Sequence, residues 1–187
     1  KGYHVEFFAD VNDMRNAINH KASDTDRGLS RMVATYDWPY NASRKPENGD
    51  SWGVSIEDFF MPWNREITVD AATKRKKLAW AEQPQTINEV GSVYTVQGFD
   101  LNYAGVIIGP SVKLENGQIK ISPDKSYFRA ATNKRTLSYG SGKGDFSDEL
   151  LWNQLYVLMT RGVHGLFVYA CDEELRNALI QAQKFHA

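Results

Sequence analysis

Two short apolar runs, Gly105-Val-Ile-Ile108 and Leu166-Phe-Val-Tyr169, contain no polar residue alternating with the apolar ones. A continuous run of this kind, bounded by turn residues, reads as a buried strand. Gly109-Pro110 closes the first run, and the apolar stripe Leu151, Leu155, Leu158 precedes the second at helical spacing. That helix opens at Ser147, with Asp148 and Glu149 favourably placed at its positive end, and it stops at Gly162. A further amphipathic segment, residues 173–185, follows the second strand. Buried strands alternating with helices specify an α/β fold with helices on both faces of a mostly parallel sheet.

The amino-terminal part repeats the theme. Val5, Phe7 and Phe8 mark a strand. Residues 11–22 have helical potential, with Asn12 able to cap and Met14, Ala17 and Ile18 on one face. A polar stretch with Gly28 leads to a second strand at residues 31–36, ended by Trp38-Pro39. If these two strands pair in parallel, the crossover is right-handed. Further on, Val93-Tyr-Thr-Val96 reads as a strand, and Asn116-Gly117 between two short apolar segments reads as a two-residue hairpin. Residues 122–146 form a polar loop.

Residues 41–88 read as an irregular insertion. Trp38, Trp52, Trp63 and Trp80 cluster around it, and the basic run Lys74-Arg-Lys-Lys77 sits beside Trp80. Either the tryptophans pack the insertion onto the sheet and the basic run is a solvated helical face, or the two together form a stacking surface for single-stranded nucleic acid.

Composition narrows the function classes. Apolar residues make up 42% and charged residues 24% of the 187, as in ordinary globular domains. The chain is therefore expected to form one domain, residues 1–187. The formal net charge of −1 argues against a dedicated nucleic-acid clamp without excluding a local basic stripe. Cys171 is the single cysteine, and His4, His20, His164 and His186 are scattered, so no disulfide or metal site is expected. No apolar run is long enough to span a bilayer. With no signal-peptide pattern at the start, a cytoplasmic setting is expected, and the absence of an initial Met suggests a piece of a longer protein.

Gly140-Ser-Gly-Lys-Gly-Asp145 imitates part of a phosphate-binding loop. A true Walker A loop needs Gly five residues before its Gly-Lys and Ser or Thr after it. Leu137 and Gly144 occupy those places. Without that loop the chain is expected neither to hold ATP tightly nor to hydrolyse it alone.

Two other segments carry the functional signal. Tyr94-Thr-Val-Gln-Gly-Phe-Asp100 lies between two expected strands, where a loop would fall at the carboxyl ends of strands and face ligands. Gly98 permits close backbone approach, and Gln97 and Asp100 offer polar groups; taken alone, the segment reads equally well as a strand-ending turn. In Asn153-Gln-Leu-Tyr-Val-Leu-Met-Thr-Arg-Gly162 an apolar helix ends in Thr160-Arg161-Gly162 just before a buried strand. Arg161 could cap the helix's last carbonyls or reach a phosphate oxygen as an arginine finger.

Taken together, Thr95-Val-Gln-Gly-Phe-Asp100 resembles helicase motif V, and Leu155-Tyr-Val-Leu-Met-Thr-Arg-Gly162 resembles motif VI of superfamily 1 helicases. More closely, residues 93–110, with Met32-Val-Ala-Thr-Tyr-Asp-Trp-Pro39 and Met61-Pro-Trp-Asn64, resemble the bacterial Schlafen-type helicase family known as domain of unknown function 2075. The resemblance runs from about residue 3 to residue 180, and it is loosest at 41–88.

This resemblance implies a three-layer RecA-like domain of the P-loop NTPase type, the carboxyl-terminal half of an ATP-driven motor, with a non-enzymatic protein- or RNA-binding module or a nucleotide-sensing ATPase switch as the alternatives. It puts Arg161 on the nucleotide γ-phosphate and Gln97, Gly98, Asp100 and Thr160 around the cleft. Thr95 would face the nucleic acid. ATP and Mg²⁺ would sit mainly on an upstream Walker A domain of the same chain, and DNA or RNA would be the partner. Position 100 carries Asp where the related motif has Glu, and the loop is shorter than the usual motif V.

Overall fold

The two apolar runs become the inner strands of one parallel sheet. In the computed structural model the described residues are 2–24, 28–47, 49, 51–69, 71–133, 135–136 and 143–186. The chain begins with β1 (His4–Phe7), α1 (Val11–Ala22) and β2 (Arg31–Ala34). The insertion holds a hairpin, β3 (Gly53–Ile56) and β4 (Phe59–Pro62), and a short helix, α2 (Ala71–Arg75). β5 (Leu101–Ile108) precedes a second hairpin, β6 (Val112–Glu115) and β7 (Gln118–Ile121). Next come α3 (Arg129–Thr132), the two-residue strands β8 (Arg135–Thr136) and β9 (Lys143–Gly144), α4 (Ser147–Met159), β10 (Gly162–Ala170) and α5 (Glu173–His186).

The main sheet has the order β1-β10-β5-β2, with every pairing parallel. β1 and β2 are thus not partners, because β10 and β5 lie between them. Beyond β2 the sheet is extended by single bridges, Val33 to Gly91 and Val90 to Trp63. On one face Met14 and Ile18 of α1 pack with Trp63, Phe59 and Met61 of the insertion. On the other, Leu155 and Leu158 of α4 and Leu175 of α5 cover Val106, Leu166 and Val168. The result is a three-layer α/β arrangement with a mostly parallel sheet, of the RecA-like type.

Several local expectations are corrected. The cap of α1 is Asp10, which accepts the amides of Asn12 and Asp13 at 2.6 and 3.4 Å, rather than Asn12. Residues 93–96 form a helical turn and not a strand. Part of the polar loop 122–146 is structured as α3 and the pair β8–β9. Trp38, Trp63 and Trp80 are buried, so Trp80 offers no ring for stacking beside the exposed Lys74 to Lys77 run. Residues 140–142 of the Walker-like stretch, and Leu137, lie outside the described residues. The Asn116-Gly117 turn is as expected, with φ of 53° and 73°, the left-handed values a two-residue hairpin needs.

The insertion is stitched to the sheet by buried charges. Arg31 donates from Nε to the Thr86 hydroxyl at 2.9 Å, from Nη1 to the Ser30 carbonyl at 2.8 Å and from Nη2 to the Gln83 carbonyl at 3.3 Å. Burial lowers its pKa to about 10, so it stays protonated at neutral pH. Glu89 accepts the Trp80 indole N–H at 2.7 Å and the Ile67 amide at 3.2 Å.

Met14 is fully buried against the sheet. Met14→Ala is expected to cost about 2–5 kcal/mol of stability, the range for a large-to-small core change. Urea unfolding measures it, and a loss well under 1 kcal/mol would show that α1 is not part of the cooperative core.

Candidate functional site

Residues 92–100 run from the outer side of β2 to the start of β5. The amides of Thr95 and Val96 donate to the Ser92 carbonyl at 2.9 and 3.3 Å. The Thr95 hydroxyl accepts the Ser92 amide at 2.8 Å and donates to the Ser92 carbonyl at 2.9 Å. These side chain-to-backbone bonds offer the chain an alternative to a strand ladder. Asn64 clamps the turn from outside: its Oδ1 accepts the Ser92 hydroxyl at 2.7 Å, and its Nδ2 donates to the Tyr36 hydroxyl at 3.0 Å. Pro62-Trp63-Asn64 thus acts as a brace for this turn, a role that sequence spacing gave no sign of.

The turn ends at Gly98, whose φ of 73° lies in the left-handed region that glycine enters without strain. Gln97 and Gly98 are exposed, while Val96 is buried beneath them. Phe99 and Asp100 then lead into β5.

α4 delivers the second half of the site. Its C-cap, Thr160, turns its hydroxyl back onto the carbonyls of Tyr156 and Val157 at 2.9 and 3.2 Å. Arg161 donates from Nε to the Val157 carbonyl at 2.9 Å, and its own carbonyl accepts the Leu101 amide at 2.8 Å. Its Nη1 lies 3.5 Å from Asp100 Oδ1, in an ion pair whose side chains are 21% and 66% exposed. A pair whose carboxylate is open to solvent in this way contributes only about 0–1 kcal/mol.

The structure therefore brings Arg161 and Asp100 together, with Gln97 and Gly98 in the turn leading to them. Thr160 adjoins Arg161, but its hydroxyl is directed at its own helix. Thr95 is buried with its hydroxyl engaged inside the turn. The location differs from the expected carboxyl ends of strands. Leu101 pairs with Gly162, so Arg161 and Asp100 sit at the amino ends of β10 and β5. The connection is a crossover that returns to the start of the next parallel strand, and that return carries its polar residues to the opposite end of the sheet.

A family model described as "Schlafen group 3, DNA/RNA helicase domain" matches residues 1–172. The chain belongs to this family. The uncharacterized protein YPL245W of Saccharomyces cerevisiae is 39% identical over 186 residues, covering 98% of this chain. The chain spans 38% of that relative's length. No solved structure matches it. Among the described residues no helix is long and apolar enough to cross a membrane.

Within this Schlafen-type domain two glycines frame the turn and tolerate side chains differently. A Cβ on Gly91 would lie 2.7 Å from the Trp80 ring and 2.6 Å from the Thr95 hydroxyl, whereas one on Gly98 would meet nothing within 4 Å. Gly98→Ala should therefore cost only the left-handed strain, roughly 1–2 kcal/mol. Gly91→Ala should cost more, because a buried ring must shift. Chemical denaturation of both variants ranks them, and the reverse order would contradict this account of the turn.

Proposed function

We propose that the domain is the second half of an ATP-dependent nucleic-acid motor, with Arg161 as its arginine finger. ATP and Mg²⁺ would be held mainly by a separate Walker A domain, upstream in the same chain. Gln97, Gly98 and Asp100 would line the cleft, with Thr160 beside them, and Arg161 would neutralise charge developing on the transferred phosphoryl group. The observation that carries this reading is the state of the guanidinium. One nitrogen is tied to a helix carbonyl, which aims the group, while another is paired at 3.5 Å with the solvent-exposed Asp100. A triphosphate can displace that carboxylate at little cost, and the planar fork then spans two phosphate oxygens.

The strand of DNA or RNA would lie on the same domain. With the Thr95 hydroxyl engaged within its turn, the loop's outward group toward such a strand is Tyr94, and Thr95 would act through the backbone it holds. The narrower likeness to domain of unknown function 2075, carried by residues 93–110, belongs to the same proposal, as does a cytoplasmic setting.

A second reading has its own observation. The Nε bond to the Val157 carbonyl is what a purely structural helix cap would show. In the full-length protein Arg161→Ala should reduce ATP turnover by about 10³-fold or more. That corresponds to about 4 kcal/mol of transition-state stabilisation. Mg-ATP affinity should fall much less, and Arg161→Lys should not restore turnover. A cap alone predicts unchanged turnover with a stability loss of up to about 1 kcal/mol. Turnover, affinity and melting temperature of the one variant separate the two.

The 187-residue chain by itself should show no micromolar binding of Mg-ATP by calorimetry, because the Walker A pattern is absent from its sequence. Micromolar binding to the chain alone would remove the need for a second domain.

A further inference from the structure

Beyond the carboxyl end of β2, at the far end of the sheet from Arg161, aromatic rings converge from three separate segments. The Tyr36 ring centre lies 5.7 Å from that of Tyr94 and 5.8 Å from that of Phe128, and Tyr94 meets Phe128 edge-on at 5.5 Å. With Trp52 and Tyr127 they line a groove of about 590 Å³. Tyr94 and Tyr127 leave 50% and 52% of their surface open to solvent. Tyr94 meets both Tyr36 and Phe128 edge-on while half of its surface stays in water.

Charge follows the groove. Its lining includes Arg129 and no carboxylate. Past Asn41 and Trp52, which line both, lies a second hollow of about 650 Å³, where Arg44, Lys45 and Glu47 are the charged side chains among the described residues. Arg129, Arg44 and Lys45 thus space three cations along these hollows, with Glu47 in the second and Glu66 behind the Trp52 amide. Flat exposed rings flanked by spaced cations suit a polyanion that carries aromatic bases. A double helix hides its base faces, so the occupant must be unpaired.

We propose that this groove binds single-stranded nucleic acid, with bases stacking on Tyr94 and Tyr127 and phosphates following Arg129, Arg44 and Lys45. The inference rests on the motor reading above for its partner class, but it assigns that partner to a site made by Tyr94 of the turn in residues 92–100 and Tyr127 of residues 126–130. Stacking needs only a ring face, so it is sequence-tolerant and indifferent to the tyrosine hydroxyl.

The test uses the chain with fluorescein-labelled dodecamers of single-stranded DNA and RNA, a DNA duplex of equal length, and a proline-rich peptide. The dodecamers should bind more tightly than the duplex. Tyr127→Ala, at an exposed ring, should weaken binding by about 5- to 100-fold with the melting temperature retained, and Tyr127→Phe should bind like the parent. Arg129→Ala should lower the log–log salt slope by about 0.7. Equal affinity for the duplex, groove-dependent capture of the peptide in place of the dodecamers, or no dodecamer binding would each overturn the proposal. So would dodecamer binding that survives Tyr127→Ala and Tyr94→Ala, although that result leaves the motor reading intact. The Arg161→Ala turnover measurement judges the motor reading separately.

Discussion

The amide of Leu101 donates to the carbonyl of Arg161 across 2.8 Å, and two chemically distinct turns meet because of it. One turn ends the crossover into β5, and the other ends α4 and opens β10. Without this rung the two strands could slip relative to each other, and Asp100 would no longer face Arg161. The rung is in turn secured by the buried register above it, in which β5 and β10 pair from Tyr103 and Gly165 up to Ile108 and Ala170. The apolar runs that define the sheet therefore also set the position of the polar groups at its end. The bulge between Gly162 and Gly165 lies just above the rung, where the ladder begins.

Two elements connect this end of the sheet with the aromatic groove at the other. Residues 92–100 have Tyr94 against Tyr36 at one end and Asp100 against Arg161 at the other. α4 makes the same journey, since Gln154 accepts the Tyr36 amide at 2.8 Å, and Arg161 follows two turns later, about 10 Å along the helix axis. Val96 from the crossover and Leu155 and Leu158 from α4 share one core cluster, so the two paths are packed together. Close-packed side chains transmit small displacements rather than absorbing them. A shift of the turn at Gly98 would therefore be felt at Tyr94.

Most of the scaffold was legible in the sequence, and the exceptions share a cause. α1 spans residues 11–22 as its periodicity indicates, because twelve residues with Met14 and Ile18 on one face leave little ambiguity. The runs at 105–108 and 166–169 are strands because nothing polar interrupts them. Residues 93–96 misled because Val, Tyr and Thr favour strands by composition, while Ser92 and Thr95 bond the local backbone and fold it into a turn. The cap of α1 was displaced by two residues, from Asn12 to Asp10, since both side chains are good acceptors and only the backbone path decides. The separation of β1 from β2 and the end of the sheet at which Arg161 lies are properties of long-range pairing. Spacing within a segment carries no information about them. At the site, Arg161 and Asp100 were named in advance, but Asn64 and Tyr36 stood only within segments that carry the family resemblance and not as site residues, because their role comes from contacts 28 residues apart.

The aromatic residues divide according to the polar group each one carries. Trp38, Trp63 and Trp80 are buried, and each gives its indole N–H to an internal acceptor: the Ser55 carbonyl, the Pro39 carbonyl and the Glu89 carboxylate. A large ring with one donor can be taken fully inside when that donor is matched. Glu89 bears the cost of this arrangement, as burial raises its pKa above the ordinary carboxylate value while the indole N–H and backbone amides pull it back down. Tyr94 and Tyr127 instead leave about half of their surface in water. Tryptophans in and beside the insertion thus pack a dry core, while tyrosines from outside it, Tyr94 and Tyr127, face water. Three of the four tryptophans that make this stretch conspicuous are closed to a partner, while Trp52, half-buried with its indole N–H on the Asn41 and Arg44 carbonyls, lines the groove beside the less conspicuous tyrosines.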